Sequence, residues 1–249
     1  MCALKDRKRF ECVRMKYRDL WKTVAAQHYQ MRRIEIYLTF LRKDASIFDV
    51  GCADGVITMR LAKMGYNMTG LDPSRIRLKD GKMEARKEGL NIEFIRGDAE
   101  NLPFKENSFD YVLSMQVLQF LPNPYKAIRE FARVVNLGGM VIVDVPNRYC
   151  LYYFGLNRIV GFLKSRIPTF RWRSRTFSCF EMKAVFEQVG LTGIEIEYVL
   201  LVSYAFPDWL FKMLKPIEIF FEKSPFLRRF MGCMLCKGVV TKNKFAHAT

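Results

Sequence analysis

Residues 47–55, Ile47-Phe48-Asp49-Val50-Gly51-Cys52-Ala53-Asp54-Gly55, pass from an apolar stretch into a turn of small residues and then into a helix-like run beginning at Val56. A buried strand, a tight turn and a helix in that order is how a doubly wound sheet opens a nucleotide pocket. Gly51 and Gly55 can take backbone angles closed to other residues. The turn can therefore bring main-chain N–H groups against a ligand while the next helix presents its N-terminus to it.

Two further apolar runs end in the same style. Asn67 to Leu71 arrives at Gly70-Leu71-Asp72-Pro73, and Ile92 to Ile95 arrives at Gly97-Asp98-Ala99-Glu100. Taken singly, Asp72-Pro73-Ser74 reads as an ordinary helix start and Asp98 as a loop acid. Three acids after three successive strands form a series that such local readings do not explain. Phe109 to Leu113 reads as a fourth strand, and Met140 to Val145 as a fifth, entered through a tight turn at Gly138-Gly139. A sixth spans Ile194 to Val202, and Lys237 to Lys242 lies in the seventh. Helices such as Pro124 to Val134 fill the gaps, and alternating strands and helices imply a mostly parallel sheet covered on both faces. The expected fold is α/β: a Rossmann-like, doubly wound, seven-stranded sheet with two aromatic, basic lid insertions. A ligand on such a sheet lies across the carboxyl ends of the strands, so Gly51, Asp72, Asp98 and Met115 are expected to converge.

With these residues in order, Ile47 to Val145 resembles the class I S-adenosylmethionine-dependent methyltransferases. The resemblance implies a cofactor, S-adenosylmethionine, and a role for each matching residue. Asp49 stands where the family has the acid that helps orient the methionine amino group, and Gly51, Cys52, Ala53 and Gly55 match the loop. Asp72, followed by Pro73, matches the carboxylate that takes both ribose hydroxyls, a task suited to an acceptor with two oxygens. Asp98 matches the acceptor for the adenine amino group, with Ala99 supplying a neighbouring N–H. Met115, in Val112-Leu113-Ser114-Met115-Gln116-Val117-Leu118, resembles the residue lining the methionine arm in the quinone-biosynthesis branch. The chain departs from the family where Ala53 replaces a second glycine and where Gln119-Phe120 stands in the place of Glu-His. The latter removes the histidine that would serve as acid or base, and no catalytic residue is named from the sequence.

Rival nucleotide folds fit less well. A dinucleotide fingerprint needs Gly-x-Gly-x-x-Gly, whereas here the second glycine falls at Gly55 and Val56 takes the sixth position. No Gly-Lys-Ser/Thr phosphate loop occurs.

The 249 residues, half of them apolar, suffice for one well-buried domain. The formal charge of +16 is unevenly placed. Residues 44–149 hold 14 basic and 14 acidic side chains, residues 1–43 hold 12 against 4, and residues 150–249 hold 15 against 7. A neutral core between basic flanks points to an anionic acceptor, a nucleic acid or an anionic membrane surface. Large apolar residues interleave with the cations in Phe170-Arg171-Trp172-Arg173 and Phe226-Leu227-Arg228-Arg229-Phe230, as on amphipathic surfaces at lipid headgroups. The chain reads as an N-terminal helical cap over residues 1–43 and a cofactor domain over residues 44–249, with insertions at 146–177 and 203–232. Residues 15–43 carry helical periodicity, and Tyr29 or Arg33 would reach toward the cofactor carboxylate. His28 is a candidate proton acceptor whose plainer reading is a surface histidine. Ser178-Cys179-Phe180-Glu181 forms a capping box opening a helix that Gly190 closes.

Seven cysteines without framework spacing fit a reducing, cytoplasmic setting, and Cys233-Met234-Leu235-Cys236 reads as part of the last strand rather than a metal site. The opening residues carry charges rather than the apolar core of a secretory signal. Trp209 to Phe221, cut by Lys212, Lys215, Pro216 and Glu218, can lie on a membrane but is too interrupted to cross one. Two apolar lids beside the cleft imply a small lipophilic or aromatic acceptor. The alternatives are an RNA or other nucleic-acid methyltransferase, although Ser114-Met115-Gln116-Val117 is not the Pro-Pro turn of amino-directed nucleic-acid enzymes, and a cofactor-binding protein without turnover.

Overall fold

The computed structural model describes residues 23–151, 175–199 and 208–241. Helix α1 (Val24–Leu38) precedes strand β1 (Ser46–Val50), α2 (Val56–Lys63), β2 (Asn67–Asp72), α3 (Arg75–Lys87), β3 (Glu93–Arg96) and β4 (Phe109–Met115). A short turn of 3-10 helix, Leu118–Phe120, leads to α4 (Pro124–Val134) and β5 (Val135–Pro146). Then follow α5 (Cys179–Gln188), β6 (Leu191–Val199), α6 (Asp208–Lys223), a second 3-10 turn (Leu227–Phe230) and β7 (Cys233–Val240).

The strands form one seven-stranded sheet in the order β3-β2-β1-β4-β5-β7-β6. Strands β1 to β5 pair in parallel, and β7 runs antiparallel to both β5 and β6. The order reverses between β1 and β4, and the crevice of a doubly wound sheet opens at such a switch point.

Side chains alternate across the pleat, so each strand supplies two cores. Phe48 and Val50 of β1, Val112 of β4 and Val141, Val143 and Val145 of β5 pack with Phe131 of α4 and Phe186 of α5. Ile47, Leu113 and Ile142 point the other way and meet Ile34 and Tyr37 of α1 and Leu61 of α2. Asp49, Met115 and Asp144 share the parity of this second set, which places three functional-looking side chains beneath α1. Fully burying an aliphatic side chain such as Ile34 is worth about 1.5–3 kcal/mol, so α1 belongs to this core.

Local signals set the helix starts. Ser74 Oγ accepts from Arg77 N–H at α3, Asn123 Oδ1 from Lys126 N–H at α4 ahead of Pro124, and Ser178 Oγ from Glu181 N–H at α5. The expected capping box at Ser178 closes from one side only. The Glu181 carboxylate goes to Tyr125 Oη at 2.7 Å and Arg148 at 2.6 Å, joining α5 to α4 and the end of β5. Strand limits of β1 to β4 differ from expectation by one or two residues, and those of the last three strands by more. β5 starts at Val135 and runs through Gly138-Gly139, so the expected turn there is instead strand, with a register shift against β4 between Phe109 and Tyr111; β6 starts at Leu191; and β7 starts at Cys233 and ends at Val240. The strong apolar alternation marked the middle of each strand, while the ends depend on the neighbours available for pairing. Of the expected helix over residues 15–43, Val24–Leu38 is observed as α1, Thr39–Lys43 are not helical, and residues 1–22 lie outside the described residues. The first insertion likewise lies largely outside them, at residues 152–174.

Candidate active site

The loop after β1 is tied to β2 by its own backbone. Gly51 N–H and Cys52 N–H both donate to Leu71 O, at 2.6 and 3.0 Å, and Ala53 N–H donates to Asp72 Oδ2 at 3.0 Å. Gly51, Ala53 and Gly55 all have positive φ, at 83°, 54° and 75°. Glycine is required at 51 for a second reason, since a Cβ there would lie 2.2 Å from Val117 Cγ2. Ala53 carries the left-handed conformation at a cost of about 1–2 kcal/mol, where a glycine would be free of it.

Asp72, at the carboxyl end of β2, is buried and held at both oxygens, because Ser74 N–H donates to Oδ1 at 2.8 Å while Ala53 N–H holds Oδ2. Burial raises its pKa, and the Ser74 N–H, Arg77 and the Ala53 N–H oppose that rise. The carboxylate is thereby fixed in orientation with lone pairs to spare. Asp49 is buried on β1, and its Oδ2 accepts from Thr58 Oγ1 of α2 at 2.6 Å. Burial pushes its pKa up to about 6; the Thr58 bond lowers it and the nearby Asp72 charge adds to the rise. Burial also pushes the Cys52 thiol well above its ordinary range, so it is a packed, inert neighbour rather than a nucleophile.

Asp98 lies exposed beyond β3, where its Oδ1 accepts from Glu100 N–H at 2.9 Å, and Ala99 beside it is buried. Pro73 is exposed, and its carbonyl accepts from Arg96 Nε at 3.3 Å. Met115 ends β4, is half-buried and pairs in register with Asp144. The chosen residues thus stand at the carboxyl ends of β1, β2, β3 and β4 on either side of the strand-order reversal.

A second cluster beside them was not foreseen. Asp144 of β5, fully buried, forms an ion pair with Arg33 of α1, and Gln116 Nε2 donates to its other oxygen. Arg33 also donates to Tyr29 Oη and stacks 3.6 Å from the Tyr29 ring centroid. Tyr29 Oη contacts Cys233 Sγ at 3.3 Å, and Gln119 Nε2 donates to Gln116 Oε1 at 2.9 Å. Burial alone would lower Arg33, yet the facing Asp144 charge outweighs it and holds the guanidinium above its ordinary value. Burial first, then Asp144, pushes Tyr37 well up, and its hydroxyl has no hydrogen-bond partner among the described residues. The expected reach of Tyr29 or Arg33 toward a cofactor carboxylate is replaced here by this network, since Asp144 offers Arg33 a buried carboxylate within the fold. The sequence carried a signal of it: Asp144 is the one charge in Val141-Ile142-Val143-Asp144-Val145, and a charge inside a doubly covered strand needs a partner. Gln116 has φ 52°, a strained conformation for a non-glycine residue directly after Met115. His28 pairs with Glu218 of α6 at 3.0 Å and so links two helices.

Among the described residues, no group of His, Cys, Asp and Glu side chains could hold a metal ion. The donor set suits an organic cation bearing hydroxyl and amino donors: Asp49, Asp72 and Asp98 are acceptors, and S-adenosylmethionine carries an ammonium, a sulfonium, two ribose hydroxyls and an adenine amino group. A doubly wound sheet with an acid series at its switch point defines a nucleotide-cofactor-binding α/β protein. The comparisons with known proteins narrow this.

The family model described as a methyltransferase domain matches residues 48–143. The chain is 31% identical over 122 residues to a ubiquinone biosynthesis O-methyltransferase of Maricaulis maris, covering 47% of this chain and 48% of that protein. It therefore spans about half the length of that relative. It is 29% identical over 206 residues to a demethylmenaquinone methyltransferase of Staphylococcus aureus, covering 75% and 85% of the two chains. In fold it is similar to a Thermotoga maritima S-adenosylmethionine-dependent methyltransferase described as a possible histamine N-methyltransferase, with a TM-score of 0.64, 19% identity and coverage of 94% and 98%. Residues 48–143 thus match a methyltransferase domain, and the chain is similar to class I S-adenosylmethionine-dependent methyltransferases of the quinone-biosynthesis-like branch, whose members use S-adenosylmethionine as methyl donor.

Proposed function

We propose that this protein transfers a methyl group from S-adenosylmethionine to a small lipophilic or aromatic acceptor. The observation that carries the reading is the joint placement of Asp49, Asp72, Asp98 and Met115 at the carboxyl strand ends, with Asp72 held in place by two backbone N–H groups. In this reading Asp72 accepts from both ribose hydroxyls and Asp49 from the methionine amino group. Asp98 and the Ala99 N–H hold the adenine, Gly51, Cys52, Ala53 and Gly55 line the loop with Pro73 at its rim, and Met115 lines the methionine arm. When bound, the cofactor supplies an electrophilic methyl group on a sulfonium. The protein's task is to align an acceptor atom with the sulfur–carbon bond and exclude water. A phenolate acceptor has already lost its proton before it attacks the methyl group, which agrees with the Gln119-Phe120 departure from Glu-His.

The acceptor class is supported by two relatives named for quinone biosynthesis and by the aromatic content of the two insertions. In the same proposal residues 1–43 act as a cap, and the protein works in the cytoplasm or peripherally at the inner face of a membrane. Calorimetric titration tests the cofactor part. Asp72→Asn removes a charge-assisted contact worth roughly 1.5–3 kcal/mol, so affinity is expected to fall about 10- to 100-fold. Unchanged affinity would sink the assignment of Asp72. Radiolabelled cofactor incubated with fractionated cell extract tests the acceptor: label is expected in the lipid fraction. Label entering RNA alone, or no turnover at all, overturns this part.

A further inference from the structure

Helix α6 turns its acids and Phe211 inward, and Trp209 and Phe220 outward. Asp208 Oδ1 accepts from Val24 N–H at 3.0 Å, Glu218 pairs with His28 at 3.0 Å, and Glu222 pairs with Arg32 at 3.3 Å. All three acids of the helix are thus engaged by α1. On the opposite side Trp209, Met213, Pro216 and Phe220 fall on one stripe. Trp209 is 68% exposed, Met213 59% and Phe220 63%. The exposed Lys212, Lys215 and Lys223 border this stripe, and the following turn adds exposed Phe226, Arg228 and Arg229.

Single exposed apolar residues are ordinary, but a continuous stripe of Trp, Met and Phe bordered by cations and cleared of acids calls for a partner. Charge decides which partner. Two copies of this face would oppose cations to cations within a chain of net charge +16, whereas an anionic bilayer offers hydrocarbon to the stripe and phosphates to its borders. Each Lys or Arg near such a surface contributes about 1 kcal/mol. Among the described residues no helix is long and apolar enough to cross a membrane, so the fitting geometry is a helix lying in the headgroup plane. The turn after α6 feeds β7 at Cys233, which pairs with Pro146 at the carboxyl end of β5. The surface therefore flanks the end of the sheet where the candidate site lies.

We propose that α6 and the turn after it are a docking surface for an anionic lipid bilayer. The proposal deepens the reading above, resting on the lipophilic acceptor for its purpose: an acceptor dissolved in the bilayer would meet the site without crossing water. The test is co-sedimentation of the full chain with vesicles of phosphatidylcholine alone and of phosphatidylcholine mixed with phosphatidylglycerol. Retention is expected on the anionic vesicles only and is expected to weaken as salt is added. A Trp209→Ser/Phe220→Ser variant is expected to lose about tenfold or more in retention, and Lys212→Glu/Lys215→Glu/Lys223→Glu to lose it altogether. Both variants are expected to bind S-adenosylmethionine as the parent does in calorimetry, which separates docking from the cofactor site. Wild-type retention without cofactor binding would defeat the proposed activity and leave the docking surface standing. Absence of retention on anionic vesicles, equal retention on phosphatidylcholine alone, or undiminished retention of either variant overturns the proposal. So does a wild-type dimer that the aromatic variant dissolves.

Discussion

Gly51 is held by two demands at once, a positive φ of 83° and the nearness of Val117. An alanine there meets both, so Gly51→Ala is expected to cost about 1–3 kcal/mol, read from urea unfolding. Adding Val117→Ala should return part of the loss by removing the clash, leaving only the backbone strain; no recovery in the double variant would show that the packing contact is unimportant. Ala53 shows the limits of motif reading. Its φ of 54° confirms that the position wants a residue tolerant of the left-handed region, yet the chain uses alanine there and still makes the Ala53 N–H to Asp72 contact. A motif reports what a backbone prefers, and the structure reports what it has accepted.

Between elements, the Arg33 to Asp144 pair joins α1 to the carboxyl end of β5, beside Met115. Removing one member leaves the other charge buried and unpaired. Asp144→Leu alone is expected to cost roughly 3–5 kcal/mol, and Arg33→Met/Asp144→Leu considerably less, because both desolvated charges then disappear together. Chemical denaturation of the two variants checks this; a double variant as unstable as the single one would refute the pairing. The strands were legible because Val and Ile alternate through them, and the helix starts were legible because Ser74, Asn123 and Ser178 cap them. The network was not, since Tyr29, Arg33, Gln116, Asp144 and Cys233 come from three separate elements and the loop after β4, and only strand order brings them together. The sequence did mark where to look, through the buried charge at Asp144.

Across the molecule, ionisation links folding to cofactor binding. Asp49 has its pKa raised from 3.8 to about 6 by burial, so its charge costs folding free energy above about pH 6, and the unliganded fold is relieved of that cost as pH falls toward the ordinary carboxylate range. The cofactor ammonium requires the ionised form. Stabilisation by S-adenosylmethionine, about 2.7 kcal/mol at a hundredfold excess over its dissociation constant, is therefore expected in full above about pH 6 and to fade below it. Thermal unfolding with and without cofactor across this window checks the sign, and Asp49→Asn should flatten the dependence. Constant stabilisation down to about pH 5 would mean that Asp49 does not contact the ammonium.

The strand–turn–helix unit at Ile47 to Gly55, the acid series and the neutral core between basic flanks were all present in the linear chain, because periodicity, turn chemistry and charge are properties of neighbours in sequence. The fold class and the set of residues worth examining followed from them. What Arg33 binds, which side of α6 faces outward and that both oxygens of Asp72 are held by backbone amides were settled only by packing. Those contacts join residues tens to hundreds of positions apart, and their energies depend on burial, which no local pattern specifies.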